Sequence, residues 1–281
     1  MLTLDPKELP IPKLHHYLLG SIGPRPIAFA STVDAEGNRN LAPFSFFNVF
    51  SANPPILIFS PARSGRTNTT KNTHDNVKEV AEVVINVVNY DMVHQMSLAS
   101  SPFEAGVDEF VKAGFTPIAS DTIRPFRVKE SPVQIECKVI EIKELGQNGG
   151  AGNLVICEVQ KIHIDERVLD ENQMVDQQKI DLVSRMGGNW YCRANGASMF
   201  EVDKPITTIG IGVDSLPMKI RTSIHLTGND LGILGNMESI PTVEEIKRDL
   251  SVMDTPSFSL AKELLSENKP QLAYAVLTQV L

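Results

Sequence analysis

Between Arg63 and Asn76 the sequence gathers groups that bind an anion. Thr67, Thr69 and Thr73 offer hydroxyl donors, while Arg63, Arg66 and Lys71 offer positive charge. A helix is expected to follow directly, and the unpaired N–H groups and dipole at a helix start favour a phosphate there. The same residues also fit a simpler reading, in which Asn72 or Thr73 caps the helix and the cations are solvated. Composition leaves both open. No G-x-x-x-x-G-K-S/T run is present, which argues against a nucleoside triphosphate.

A second set of groups lies at 40–50. Asn40, Pro43, Ser45 and Asn48 are interleaved with Phe44, Phe46, Phe47 and Phe50. A strand made only for a core would alternate apolar and polar residues. Hydrogen-bonding groups set among flat apolar ones suit one wall of a site for a planar, partly polar ligand.

Other chemistries find no support in the residues. Gly210-Ile211-Gly212 imitates half of a dinucleotide fingerprint but lacks the third glycine and a surrounding βαβ unit. His15 and His16 are adjacent, yet a structural metal site wants around four ligands. His74, His94, His163 and His225 are scattered, and the acidic residues show no metal-ligand spacing. A net charge of −8 with dispersed Lys and Arg argues against a nucleic-acid surface. Cys137, Cys157 and Cys192 form no C-x-x-C pair. The odd cysteine count and an N-terminus without a signal-peptide pattern fit reducing cytoplasm. No run approaches the roughly 18 apolar residues of a membrane span.

Arg25–Thr32 is a strand, Asp34–Asn38 a tight connection, and a second strand follows to Ser51. Asn53-Pro54-Pro55 breaks it, and Ile56–Ser60 is a buried strand. A helix from Asn72 or Thr73 to Ala81 places Val77, Val80 and Ala81 on one face. Val83–Val88 is β-branched and strand-like. Short helices fit Asp91–Ala99 and Val107–Ala113, the latter ended by Gly114. Val133–Leu145 and Leu154–Ile164 form a hairpin about the glycine-rich turn 146–153, with a bulge at Val139–Ile140. Residues 165–179 are polar and external, and 181–199 follow no simple pattern. Further on, Ile206–Val213 and Ile220–Leu226 read as strands, Thr227–Gly232 as a turn, and Thr242–Glu245 as a capping box. Helices are expected at Ser257–Glu267 and Pro270–Val280. Strands with helices inserted singly favour a β-barrel over a doubly wound sheet. The fold class is mainly β with inserted helices, over 1–205, plus a mainly helical C-terminal appendage over 206–281.

Several motifs, taken in order, resemble the flavin reductase-like family, whose fold is the FMN-binding split barrel. They are Gly23-Pro24-Arg25-Pro26-Ile27-Ala28 with Ser31-Thr32, and Asn40-Leu41-Ala42-Pro43-Phe44-Ser45-Phe46-Phe47-Asn48. Asn53-Pro54-Pro55, Lys71-Asn72-Thr73 with Asn76, and Glu130-Ser131-Pro132 leading into Glu136-Cys137-Lys138 also match. So does Ser184-Arg185-Met186-Gly187-Gly188 with Tyr191. The likeness spans about 15–204.

The resemblance implies a homodimer binding FMN non-covalently near the subunit interface. It places Ser45, Phe46, Phe47 and Asn48 against the isoalloxazine. Main-chain groups of the Arg25–Thr32 strand, among them Arg25, Pro26, Ile27 and Ala28, would help hold the cofactor. Lys71, Asn72 and Thr73 would hold the phosphate, joining Arg63 and Thr67, and Arg185 would reach the cofactor or nicotinamide region. Family members often carry an acid where this chain has Asn72. The implied activity passes hydride from NADH or NADPH through FMN to a flavin or another acceptor. The alternative is a flavin-binding carrier, sensor or partner-binding protein without turnover, which the C-terminal appendage motivates. Haem or a pyridoxine-type phosphate would suit the same fold with fewer matching motifs.

Overall fold

The computed structural model describes residues 1–104, 106–202, 208–251 and 255–281. These form two compact units, Met1–Phe200 and Glu201–Leu281. The expected boundary at 205/206 falls among residues 203–207, outside the described ones.

In the first unit, α1 (Ile11–Ser21) precedes β1 (Ala28–Val33), β2 (Arg39–Phe44), β3 (Phe47–Ala52) and β4 (Pro55–Phe59). Next come α2 (Asn72–Glu79), β5 (Glu82–Val87), α3 (Val93–Leu98) and α4 (Glu109–Ala113). Two short strands, β6 (Pro117–Ile118) and β7 (Arg127–Val128), lead into β8 (Val133–Glu144) and β9 (Asn153–Ile164). The unit ends with β10 (Leu182–Arg185) and β11 (Tyr191–Ala194).

Seven strands make one sheet in the order β2-β1-β5-β8-β9-β4-β3, antiparallel throughout. Its two edge strands, β2 and β3, are consecutive in the chain, with only Ser45 and Phe46 between them. Three Cα steps span at most roughly 11 Å, so the sheet must roll until its edges meet at that corner. The Ser60 amide donates to the Phe46 carbonyl there at 2.9 Å, and the Phe44 and Phe59 rings pack 5.6 Å apart. The barrel therefore closes at one corner and stays split elsewhere. The expected single strand to Ser51 is in fact two, because the chain crosses from one sheet edge to the other at Ser45.

β1 is buried on both faces. Ala28 and Ala30 point into the barrel with Leu57, Phe59, Val83 and Cys157, while Ile27, just before the strand, and Phe29 pack outward with Met96 of α3, Phe110 of α4 and Phe115, which follows α4. In the long hairpin the β8–β9 register shifts between Val139 and Glu141, so the expected bulge is present and Ile140 is left unpaired. Residues 165–180 are less external than their polarity suggests, since Val168 and Ile180 are buried against Val133.

The second unit is helical: α5 (Met218–Arg221), α6 (Gly228–Gly235), α7 (Val243–Leu250), α8 (Phe258–Ser266) and α9 (Pro270–Val280). Leu216, Leu234, Met237, Leu265 and Leu277 form its core. Thr242 and Glu245 make the expected capping box on α7. Two expectations fail here. Ile220 lies in α5 and the residues to Leu226 form turns, so Ile220–Leu226 is no strand. Thr227 opens α6 through a capping box with Asp230, so 227–232 starts a helix rather than making a turn. In 227–232 the glycines mask the Thr227–Asp230 capping signal, whereas Ile220 is held in α5, whose start no side chain caps, by packing with Leu216 and Leu234. Of the expected strand 206–213, residues 206 and 207 lie outside the described ones, and 208–213 join no strand.

The glycines of Gly210-Ile211-Gly212 have a packing reason. A Cβ on Gly210 would stand 2.6 Å from the Gly235 carbonyl oxygen. The amides of Ile211 and Gly212 donate to the carbonyls of Met237 and Gly235 at 2.8 and 2.9 Å. Two backbones cross there, and no dinucleotide loop is involved.

Candidate functional site

A cavity of about 960 Å³ opens beside the barrel corner. Its walls are the end of β2 with Ser45 and Phe46, the 60–73 loop, His15 and Leu19 of α1, and residues 99–104 with Glu109.

The 61–71 loop is folded on itself. The Arg63 guanidinium donates to Asn68 Oδ1 at 2.9 Å and to the Asn68 carbonyl at 2.6 Å, and Asn68 itself takes a left-handed φ of 56°. Ser64 Oγ accepts from the Thr67 amide, and the Ser64 amide donates to the Thr69 carbonyl. The 146–153 turn holds the loop from behind: Arg63 N–H donates to Ala151 and Gly150 N–H to Arg63. Gly149 packs closely on the loop, where a Cβ would crowd the Ser64 carbonyl oxygen at 3.0 Å and Gly65 Cα at 3.2 Å. A turn that reads only as a turn thus also seats the loop.

At the start of α2 no side chain caps the helix. Of the two candidates, Thr73 has its hydroxyl in a buried network, accepting from Asn40 Nδ2 at 2.8 Å; Asn40 and Asn76 both also donate to Thr32 Oγ1. The Asn72 and Thr73 amides have no protein partner among the described residues. Lys71 and Arg66 line the cavity with no acidic partner among those residues. Two unpaired cations, two open amides and the Thr67–Thr69 hydroxyl pair at 2.8 Å converge there. Such a cradle suits a phosphate. The reading of a plain side-chain cap is excluded, since neither candidate makes that bond.

At the other wall, Ser45 and Phe46 face the cavity, and His15 meets the half-exposed Phe46 ring edge-on at 6.4 Å. Phe47 instead packs with the barrel core. Asn48 is exposed on β3 and its Oδ1 accepts from the Val49 amide at 2.8 Å. Strand alternation from the corner onward explains the division.

The other sequence-derived candidates lie away from the cavity. Arg63 serves the loop rather than the cavity, and Arg66, which shares its sequence signal, lines it. Arg25 is buried, with its guanidinium donating to the carbonyls of Leu19 at 2.8 Å, Met186 at 2.9 Å and Ile22. Burial, then the neighbouring Arg185, hold its pKa below the ordinary value. Its backbone pairs with that of Arg185. Arg25 thus ties α1 to the 185–191 segment. Pro26 is half-buried, Ile27 sits in the outer core and Ala28 inside the barrel. Arg185 donates to the Trp190 carbonyl and stacks on Tyr191 at 4.6 Å.

Sequence reasoning missed Glu109. It is nearly fully buried, and its Oε2 accepts from the Leu41 amide at 2.9 Å, covering the open edge of β2. Burial pushes its carboxyl up, and the Leu41 amide offsets part of that. The Asp108 cap before an apolar turn marks the helix, but nothing local shows which strand edge it meets. Asp121, Glu136 and His163 also converge, with ligand atoms within 4.8 Å of one another. Here the charges are already paired. Glu136 accepts from His163, Thr122 and the Asp121 amide, while Asp121 pairs with Lys161. The cluster is an ion-pair network.

Residues 20–181 match the family described as flavin reductase like domain. The chain belongs to the flavin reductase-like family. An uncharacterised protein of Aquifex aeolicus (strain VF5) is 35% identical over 196 residues, 70% of this chain and 97% of that one. Nitrilotriacetate monooxygenase component B from Bacillus cereus shares 30% identity at a TM-score of 0.67, over 72% of this chain and 98% of that one. A split-barrel protein assigned to the flavin reductases, from Shewanella frigidimarina NCIMB 400, shares 25% identity at a TM-score of 0.59, over 70% and 96%. The split barrel of this flavin reductase-like chain thus agrees with the topology derived above. Apart from His15 and Leu19, the residues that line its cavity fall within the matched segment, whereas the second unit lies beyond it.

Proposed function

We propose that the cavity binds FMN non-covalently and that the protein transfers hydride from NADH or NADPH to a flavin or other acceptor. The observation that carries this reading is the juxtaposition of the unpaired Arg66, Lys71 and α2 amides with the exposed Phe46 face and Ser45. Bound FMN would supply the redox chemistry. Arg66, Lys71 and the amides of Asn72 and Thr73 would neutralise its phosphate. Phe46 would offer an apolar face to the ring, and Ser45 Oγ a hydrogen bond to its polar edge. His15 and Leu19, on α1, would limit water at that end. An acid–base dyad is not required.

Ser45→Ala should weaken FMN and riboflavin equally, by about fivefold, the worth of one neutral hydrogen bond. Fluorescence titration of both ligands checks this; a loss confined to FMN would move Ser45 away from the ring. Turnover is tested by adding NADH and NADPH anaerobically to the FMN-loaded protein. Rapid bleaching is expected with at least one of them, and a flavin left oxidised by both would favour the carrier or sensor reading.

A homodimer is part of the proposal. β3 is a sheet edge with Val49 and Phe50 exposed, a surface that pairing with a second copy would cover. Among the described residues no helix is long and apolar enough to cross a membrane, and all three cysteines are free. The free thiols support a cytoplasmic setting.

A further inference from the structure

Directly behind the proposed phosphate cradle lies a titratable group that the cradle itself does not use. His74 follows Thr73 in the first turn of α2 and is completely buried. Its Nδ1 is 3.3 Å from Asp75 Oδ1, and the other oxygen of Asp75 accepts from the Thr70 hydroxyl at 3.0 Å. Its Nε2 lies 3.6 Å from Glu144 Oε1 on β8 and makes no hydrogen bond. Each ring nitrogen thus faces a carboxylate. A neutral imidazole can donate from only one nitrogen, and the cation from both. The remaining charges around it are Lys78 of α2, paired with Glu144 at 2.6 Å, and Arg63, whose charge also acts on Glu144. β1 and β2, which also pack on α2, contribute Thr32 and Asn40 to the Thr73 network, and neither titrates.

We propose that His74 is a positioning residue for the cradle, and that its protonated form, bridged by Asp75 and Glu144, tightens the cradle around a phosphomonoester. The bridge joins the two parts that must hold their spacing. Asp75 fixes Thr70 on the cavity wall, and Glu144 belongs to the hairpin that seats the loop at Arg63 and Gly149. The added positive charge also lies at the N-terminal end of α2, where it favours an anion. The inference rests on the FMN reading above.

The test measures FMN and riboflavin affinities between about pH 5.5 and 8.5 for the wild type and His74→Gln. The wild-type preference for FMN, divided by that of the variant, should be on the order of fivefold at the acid end, as expected for a unit charge acting through a partly wet wall. It should decline toward one as pH rises. The ionisation of the free phosphate, near pH ~6, is common to both proteins and cancels in this ratio. Should His74→Gln fail to fold, Glu144→Gln replaces it, and its FMN preference should lose the acid-side gain relative to wild type. Superimposable profiles would overturn the inference while leaving FMN binding intact. A wild type that binds no FMN at any pH would instead overturn the reading on which it rests.

Discussion

Replacing Lys71 with alanine is expected to weaken FMN binding by about tenfold to thirtyfold while leaving riboflavin within about twofold. Lys71 lines the cavity and has no acidic partner among the described residues, so its charge is available to a ligand. A charge-assisted bond to phosphate contributes about 1.5–2 kcal/mol in such a partly exposed cradle, which sets the factor. Arg66→Ala should act in the same direction, because that side chain is equally unpaired on the same wall. Arg63→Ala should differ: its guanidinium is spent on Asn68, so its loss loosens the loop. Paired titrations of the two flavins read all three. Equal losses of FMN and riboflavin in Lys71→Ala would remove Lys71 from the phosphate.

The second large effect concerns stability. Glu136 is fully buried, and burial alone would push its carboxyl up. The Thr122 hydroxyl, the Asp121 and Thr122 amides and the His163 ring outweigh that and hold it at about 2. Glu136→Gln should cost about 3 kcal/mol, since the neutral amide cannot accept all these bonds and strands their donors. For a unit of this size that lowers Tm by roughly 6 to 12 °C. An unfolded glutamate titrates near ~4.3, above the folded value. The charge therefore stabilises the fold fully above that pH, and the contribution fades as pH falls from about 4.3 toward 2. Chemical denaturation of both proteins from neutral pH to about pH 3 should show the stability gap narrowing. A gap that is absent at neutral pH, or that widens in acid, would contradict the network.

How far the sequence revealed this molecule depends on the range of the interactions involved. The β1 strand, the β8–β9 hairpin with its bulge and the α7 capping box all rest on local patterning, and each is found, though β1 starts at Ala28 rather than Arg25. The barrel closure does not. Pro43 to Asn48 reads as one strand of odd composition, and only sheet order reveals that the chain changes edges at Ser45. The phosphate-type composition of the 63–76 loop was legible, but its division of labour was not. Nothing local separates Arg63, which clasps Asn68, from Arg66, which faces the cavity. Glu109 and the Asp121–Glu136–His163 network depend on contacts between segments far apart in the chain, set by strand register and helix docking. In the second unit, Ile220 and Ile224 suggested strand, and tertiary packing of Leu216, Ile220 and Leu234 imposed helix and turn.

One cavity is proposed to hold the phosphate and ring of FMN together. The most direct test is a titration of the flavin-free protein with FMN, followed by the visible difference spectrum and flavin fluorescence. One FMN per chain should bind with a perturbed visible band in the wild type. The double variant Arg66→Ala/Lys71→Ala should lose FMN by about a hundredfold, two charge-assisted bonds at once, and still fold. A wild type with no spectral change at saturating FMN, or a double variant that binds FMN as tightly as the wild type, would contradict it.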